Sequence, residues 1–185
     1  MVFKIHIFNN NLFELTQVHR FNDNSLLQDA YKCSNGGQID LTQYGKTECD
    51  LSLCWTNRAV DAINKKWNEH YAKQHEQTVV VNGFKQSSFI VHKDLKIMAY
   101  TSRYGKYYNS EEFTVKSFND KYITLLCDSE EFNIEIKETK NFKPVYAITC
   151  HKAQGQTIEK PYSRYEYKQM KHDMLYVCLT RTRQK

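Results

Sequence analysis

The strongest constraint on the fold is a change of apolar periodicity that occurs twice along this 185-residue chain. Five short segments rich in β-branched and aromatic residues stand in its middle, separated by turns such as Asn119–Asp120 and Asp128–Ser129. They cover residues 88–91, 95–100, 113–115, 121–126 and 132–136. Short strands at regular spacing are typical of a small all-β unit, and here they predict a barrel.

Helical and buried-strand patterns flank this β-rich stretch. Leu51–Trp55 is a short apolar run suited to a buried strand, and Thr56 or Asn57 can cap a following helix. Residues 57–74 then carry one apolar stripe at three- and four-residue intervals. The other predicted elements are a helix at 24–34, a buried strand at 145–150 and a helix at 170–182. The sequence therefore predicts an α/β layer interrupted by an all-β insertion, with boundaries near residues 80 and 143.

Composition limits the classes of protein to which the chain can belong. Apolar residues make up 41% of it, which is enough for a compact core. No apolar run approaches the roughly 18 to 20 residues that cross a bilayer, so we expect no membrane span. The apolar start of the chain contains Lys4 and His6 and lacks small residues at a cleavage site. We therefore expect no secretory signal.

The cysteines are scattered rather than paired. They stand at positions 33, 49, 54, 127, 150 and 178, and no C-x-x-C pair occurs. In a chain of this length the scatter predicts buried free thiols in an intracellular, reducing compartment. A zinc site formed by Cys49, Cys54, His70 and His75 is the alternative, although its spacings are loose for a tetrahedral cage.

The net charge of +5 comes from the end of the chain. Residues 160–185 contain 7 Lys and Arg against 2 Asp and Glu, and the rest of the chain is balanced. A basic segment attracts polyanions such as nucleic acid or nucleotide phosphate, although it can also be an ordinary solvated face. The abundance of Asn, Lys and Tyr is compatible with an AT-rich genome, including a viral one.

Gly45–Lys46–Thr47 resembles the end of a phosphate-binding loop but lacks its beginning. Such a loop needs a glycine five positions before the second glycine, and Asp40 stands there. An aspartate at that point would repel the phosphate. We therefore predict that the chain lacks its own site for a triphosphate.

Four segments carry the candidate chemistry. They are Leu15–Phe21, Cys54–Asn64, Tyr146–Thr157 and Leu175–Arg183. The third follows an apolar strand with Thr149, His151 and Lys152 beside Gly155, where a ligand can approach the backbone closely. This cluster suits phosphate or sugar contacts. A lone histidine in such a place can equally be a satisfied buried imidazole.

An arginine that follows an apolar helix, as Arg181 does, can be held rigidly and directed at a developing phosphoryl charge. Taken singly, Arg20 or Arg181 can equally form a surface salt bridge. The residues around each arginine do not decide between a contact with a phosphoryl group and a surface salt bridge.

Together the motifs resemble the second RecA-like domain of superfamily 1 helicases, in the RecD-like and Dda-like branch that moves 5′ to 3′. The resemblance lies in T-x-H-x-x-Q-G-x-T at residues 149–157 and L-Y-V-x-L-T-R at residues 175–181. In that family a module resembling a Src-homology 3 barrel is inserted between the T-N and T-x-H motifs. The implied fold is a RecA-like parallel-sheet domain over residues 1–80 and 144–185, interrupted by a barrel over residues 81–143.

The resemblance also implies roles at a nucleotide cleft. Arg20 and Arg181 would approach the γ-phosphate of ATP as catalytic arginines, and Gln154 and Gly155 would line the nucleotide side. ATP and Mg would be held mainly by a first RecA-like domain, in the same chain or another. That domain, with its phosphate loop, is the expected protein partner.

On the other side of the domain, the resemblance implies contact with a single strand of nucleic acid, with DNA expected. The candidate residues are Thr56, Asn57, Thr149, His151 and Lys152. Lys106, Tyr107 and Tyr108, in a loop of the insertion that mixes cations with aromatic residues, are further candidates because bases stack on such rings. The alternative is that these tyrosines complete the core of the insertion.

The sequence therefore predicts the C-terminal motor domain of a 5′ to 3′ helicase that cannot hydrolyse ATP alone. The alternative function is a standalone module that binds nucleic acid or protein, derived from one half of a helicase and without ATPase activity.

Overall fold

A computed structural model describes residues 4–7, 11–14, 24–41, 44 and 49–182. The helices are α1 (Asn24–Ser34), α2 (Asn57–Ala72) and α3 (His172–Leu179). The strands are β1 (Lys4–Ile7), β2 (Asn11–Glu14), β3 (Leu51–Cys54), β4 (Val79–Asn82), β5 (Ser88–Val91), β6 (Lys96–Ala99), β7 (Glu112–Phe118), β8 (Tyr122–Cys127), β9 (Glu130–Glu135), β10 (Phe142–Pro144), β11 (Ala147–Thr149) and β12 (Tyr162–Arg164). The fold is thus mixed α/β, as the sequence predicts.

A three-stranded parallel sheet lies at the centre of the α/β part, in the order β11-β3-β12. Both β3 and β11 are apolar and largely buried, which is typical of parallel strands covered on both faces. The predicted strands at 51–55 and 145–150 are confirmed. Strand β12 was missed, because its three residues carry polar and aromatic side chains within a basic segment.

Helix α2 packs on this sheet through a face that is partly polar. Val60 and Ile63 are buried, as the apolar stripe predicts, and buried Asn64 and Asn68 share their face of the helix. The Asn64 side chain accepts hydrogen bonds from the N–H groups of Tyr146 and Ala147, at 2.9 and 2.8 Å, and donates to the Ala147 carbonyl at 3.1 Å. The helix is thereby joined to β11 by hydrogen bonds as well as by apolar packing.

Asn68, one helical turn further on, makes the same kind of contact with the β-rich region between α2 and β11, which is called the insertion below. Its side chain accepts from the Ile90 N–H at 2.7 Å and donates to the Ile90 carbonyl at 2.8 Å. Ile90 belongs to β5, which pairs with β4 in an antiparallel hairpin. Helix α2 therefore holds the parallel sheet and the β-rich region together.

The β-rich region is antiparallel, as expected from its short alternating strands. Its main sheet has the order β10-β6-β7-β8-β9, and the hairpin β4-β5 lies beside it. The five predicted strands correspond to β5 through β9 and are confirmed. Their inward side chains form one apolar core that includes Phe113, Val115, Leu125 and Ile134.

The predicted barrel is not confirmed. Strands β9 and β10 lie at opposite edges of the five-stranded sheet, and the pairings of the described strands do not join them. Between these edges the chain forms a 3₁₀ helix, Ile136–Asn141, in which Glu138 and Glu135 make a capping box. The division into domains near residues 80 and 143 stays a prediction.

Helices α1 and α3 form a smaller apolar contact through Leu26, Cys33 and Leu179. The predicted helix at 24–34 is confirmed, and α3 is shorter than the predicted 170–182. All six cysteines are free, and four of them are buried. Within the described part of the chain, none of the helices combines the length and apolarity that a bilayer crossing requires.

Candidate nucleic-acid and nucleotide sites

The T-x-H segment, residues 149–157, begins at the carboxyl end of β11. Thr149 stands opposite Cys54 in the parallel pairing with β3, and the Cys150 N–H donates to the Cys54 carbonyl at 2.9 Å. Parallel strands run in the same direction, so their carboxyl ends meet at one edge of the sheet. The T-N segment after β3 and the T-x-H segment after β11 therefore begin side by side.

Trp55 and His151 make a ring contact along this edge. Their centroids are 5.8 Å apart, and the rings are tilted by 32°. His151 and Asn57 are exposed, whereas Thr56 and Thr149 are half-buried. Four residues of the T-N and T-x-H motifs were predicted to face a strand of nucleic acid. All four lie along one edge of the parallel sheet.

Thr56 caps α2 and also binds a carboxylate. Its Oγ1 accepts from the Ala59 N–H at 3.2 Å. The Glu166 carboxylate accepts from the Thr56 N–H at 2.9 Å and from the Thr56 hydroxyl at 3.0 Å. Glu166 was not among the predicted site residues, because it is 110 positions away in sequence and no motif marks it.

The T-x-H segment continues as a series of tight turns. The Ala153 N–H donates to the Thr149 carbonyl at 3.0 Å, and the Gln154 N–H donates to the His151 carbonyl at 3.1 Å. Gly155 has a φ of +88°, a backbone conformation that favours glycine. Gln154 and Gly155 are exposed at the turn, where a ligand could approach them.

Arg181 lies beneath the same turns and is buried. Its guanidinium donates to the Gln156 carbonyl at 3.2 Å and to the Ala153 carbonyl at 3.4 Å. It also donates to the Val177 carbonyl at 3.0 Å and the Thr180 hydroxyl at 2.9 Å. The structure therefore brings Arg181 next to the Gln154–Gly155 turn, in contact with its backbone.

The second predicted arginine, Arg20, lies outside the described residues, as does the whole Leu15–Phe21 segment that contains it. Gly45–Lys46–Thr47 lies outside them as well. Convergence of Arg20 and Arg181 on one phosphate stays a prediction.

Lys152 extends from the T-x-H segment towards the insertion. Its Nζ donates to Asn109 Oδ1 at 3.0 Å and stands 4.2 Å from the ring centroid of Tyr100. Burial lowers the pKa of Lys152, because the ammonium is partly removed from water. Its partners are thus an amide and an aromatic face, both supplied by the insertion.

Tyr107 and Lys106, two candidates in the insertion loop, have structural partners. Tyr107 is 1% exposed, and its ring packs 4.8 Å from that of Phe142. The Tyr107 hydroxyl accepts a hydrogen bond from the Asn141 side chain at 2.8 Å. Lys106 stands 3.5 Å from the buried Glu138 carboxylate, which also pairs with Arg103. The Tyr107 ring completes the core of the insertion and has no face open to a base.

The exposed rings of this loop are Tyr108, at 58%, and Tyr104, at 96%. Tyr104 lies in the same candidate loop, Arg103–Asn109, but was not one of the three residues singled out there. The neighbouring Gly105 could have drawn attention to Tyr104. Gly105 has a φ of +71° and lies at the tip of the turn between the paired residues Arg103 and Tyr107. A ring beside such a glycine projects from the loop.

Metal-binding groups are a further requirement of the predicted chemistry. Within the described ranges, His, Cys, Asp and Glu side chains do not gather in threes or more in a way that could hold a metal ion. Cys49, Cys54, His70 and His75 are all described, so the zinc alternative is not supported. Gln154, Gly155 and Arg181 offer an amide, a backbone and a cation, which suit a nucleotide and its phosphates rather than Mg.

The fold is similar to that of solved Pif1 helicases. A structure of Pif1 helicases that unwind forked double-stranded DNA matches 90% of this chain and 46% of its own, with a TM-score of 0.68 and 19% identity. The Bacteroides enzyme in complex with ADP-AlF3 and single-stranded DNA matches 91% and 49%, with a TM-score of 0.64 and 19% identity. The Candida albicans enzyme matches 91% and 53%, with a TM-score of 0.70 and 13% identity.

The sequence matches no protein-family model and no curated protein. The chain spans about half the length of the helicases that it resembles in structure. Because identity is low, the likeness concerns the fold. The chain has the fold of about half of a Pif1 helicase.

Proposed function

We propose that this chain is the second RecA-like motor domain of an ATP-dependent superfamily 1B helicase that moves 5′ to 3′ along single-stranded DNA. One observation carries the proposal: a single turn segment, residues 149–157, adjoins the T-N cap on one side and Arg181 on the other. A motor domain needs such a connection, because it must link contact with a nucleotide to contact with a strand.

The DNA strand would bind at the edge of the parallel sheet where β3 and β11 end. Thr56, Asn57, Thr149 and His151 would face it, and the neighbouring Trp55 ring offers a surface on which a base can stack. The Bacteroides structure of similar fold contains single-stranded DNA, which supports this proposal.

The nucleotide would bind at the turn that contains Gln154 and Gly155. ATP, with Mg, would be held mainly by a first RecA-like domain, and Arg20 and Arg181 would approach its γ-phosphate from the opposite side. Arginines in this position stabilise the charge of the transferring phosphoryl group.

Movement would follow from exchange of the Arg181 hydrogen bonds. The guanidinium now binds the carbonyls of Ala153 and Gln156. If it turned towards a phosphate it would release these carbonyls, and the turn that contains His151 could shift. A local charge event would thereby change the surface that holds the strand.

The test is ATP hydrolysis with and without a first RecA-like domain. Alone, the chain is expected to show no ATPase activity stimulated by DNA. With a matching first domain, turnover is expected, and Arg181→Lys should reduce it by at least about tenfold because lysine cannot reproduce the planar fork. Arg164→Lys, a change of the same kind on β12, serves as the control.

A standalone binding module is the second candidate. It is favoured by the engagement of the Arg181 guanidinium with backbone carbonyls and by the two exposed tyrosines of the insertion loop. Strand binding without turnover in the presence of a first domain would support the module and refute the motor.

A further inference from the structure

Lys152 is a residue of the T-x-H segment whose side chain contacts the insertion. Its ammonium donates to Asn109 Oδ1 at 3.0 Å and lies 4.2 Å from the centre of the Tyr100 ring. A cation over an aromatic face and a charge-assisted hydrogen bond are both favourable in a partly desolvated place. Two contacts thus direct one side chain across the boundary between the sheets.

Both partners of Lys152 are themselves held within the insertion. The Tyr100 ring stacks on Phe84 with centroids 5.1 Å apart, and the Tyr100 N–H donates to the Asn141 carbonyl at 2.8 Å. The Asn109 N–H donates to the Ser102 hydroxyl at 2.9 Å. Lys152 therefore contacts an ordered surface rather than a single loose side chain.

The other end of Lys152 is equally well held. Its backbone N–H donates to Thr149 Oγ1 at 3.2 Å, within the turns that begin the T-x-H segment. On the far side of these turns, Arg181 binds the carbonyls of Ala153 and Gln156. The segment is therefore held twice, by its own Lys152 on the insertion and by Arg181, which follows α3, on its carbonyls.

We propose that Lys152 is a positioning residue that joins the T-x-H segment to the insertion through Tyr100 and Asn109, and not a contact to a nucleic-acid phosphate. Its effect on strand binding rests on the function proposed above. The role is to set where Thr149 and His151 stand relative to the insertion, so that a strand meets both surfaces in one arrangement.

The surroundings of the ammonium favour this assignment. A lysine that follows a phosphate backbone works as an exposed, well-hydrated charge. Lys152 is half-buried, and its charge is directed at the exposed amide of Asn109 and at the ring of Tyr100, both of them neutral groups. Its lowered pKa agrees with partial removal from water.

The first test is hydrogen exchange of the full 185-residue chain without DNA. Lys152→Met keeps the length of the side chain and removes its charge, and Asn109→Leu removes the other side of the contact from an exposed position. Each variant should speed exchange in residues 107–110 and 149–154 by about threefold or more, and the double variant should add little. Lys65→Met, an equal charge loss on the exposed face of α2, should leave both segments unchanged. Wild-type exchange rates in both single variants would overturn the proposal.

The second test separates positioning from phosphate contact. The affinity for a fluorescent dT20 strand is measured at several salt concentrations. Lys152→Met and Asn109→Leu should each weaken binding by about three- to tenfold, and the dependence on salt should keep its slope. A slope reduced by about 0.7 in Lys152→Met alone would identify a phosphate contact and overturn the proposal. If the wild-type chain did not bind dT20, the proposed function would fail, and the exchange experiment would still decide the role of Lys152.

Discussion

The two cores of this molecule differ in the side chains that build them. The insertion core consists of aromatic and branched residues, including Phe113, Phe142, Val115, Ile123 and Ile134. The core around the parallel sheet, which Met98 of β6 also enters, is rich in sulfur, with Met170, Met174, Cys150 and Cys178. Stiff rings and branched chains specify one arrangement, whereas methionine side chains adapt to several.

The parallel-sheet region compensates with polar contacts. The Asn64 amide binds the backbone of β11, the Glu166 carboxylate binds Thr56, and the Arg181 guanidinium binds the T-x-H turns. Hydrogen bonds can be exchanged for others of similar strength, whereas a packed apolar core cannot be rearranged without cost. The difference would suit the proposed motor function, in which a rigid insertion is joined to a region that changes its contacts.

The largest effect is expected from Phe113→Ala. Phe113 is buried between Phe132 and Phe142, with ring centroids 5.2 and 5.9 Å away. The cavity should lower the free energy of unfolding by about 3 to 5 kcal/mol. Urea denaturation measures this, with Phe113→Leu as the matched, milder control. A loss below about 1 kcal/mol would mean that the insertion core is as adaptable as the other.

Asn64→Ala should have the next largest effect. It would leave the buried backbone groups of Tyr146 and Ala147 without their side-chain partner. Each of the three backbone groups costs about 1 kcal/mol or more when it is left unsatisfied, so we expect a total loss of about 3 kcal/mol. Asn57→Ala, at the exposed start of the same helix, is the control and should change stability by less than about 1 kcal/mol.

A small effect is expected from Met174→Leu in the sulfur-rich core. The two side chains have similar volumes, so the loss should stay below about 1.5 kcal/mol. Leu125→Met, the reverse exchange in the insertion core, provides the comparison by the same denaturation measurement. The interpretation of the two cores would be contradicted if Met174→Leu cost clearly more than Leu125→Met.

The smallest effect is a pH dependence at the junction of the two regions. Burial lowers the pKa of His92, whose ring stacks on His75 at 4.5 Å and whose Nε2 lies 3.4 Å from the Tyr146 hydroxyl. The unfolded chain therefore binds more protons at this position near pH 6.5 and below, so stability should fall as the pH falls through that range.

His92→Phe should reduce this loss of stability at low pH. The measurement is the thermal midpoint of each protein between pH 5 and pH 8. An unchanged slope in His92→Phe would show that other groups cause the loss of stability at low pH.

The sequence was sufficient where neighbouring residues decide the structure. The Thr56 cap, the helix after it and the strand before Thr149 follow from local periodicity and capping, and each is observed. The insertion strands were found for the same reason. The barrel was not confirmed, because closure depends on how the edges β9 and β10 pair, which local patterns do not determine.

The candidate site was harder to predict, because its partners come from distant parts of the chain. The sequence suggested that Lys106 and Tyr107 contact nucleic acid. In the fold, Lys106 pairs with Glu138 and Tyr107 packs on Phe142, and both contacts depend on how the 3₁₀ helix packs. Lys152 meets Asn109, 43 positions earlier, and Thr56 meets Glu166. The residues next to each partner in sequence do not predict either contact.

The paired asparagines of α2 have one more consequence. Both amides bind main-chain atoms, Asn64 on Tyr146 and Ala147 and Asn68 on Ile90, and Asn68 also hydrogen-bonds the Tyr146 side chain. These main-chain hydrogen bonds therefore do not depend on the side chains at positions 90 and 147. They do depend on the four-residue interval that places both asparagines on one face of the helix. Evolution, or an engineer, could replace the insertion with an unrelated hairpin and dock it on the same helix, provided that a strand presents one free peptide unit to Asn68.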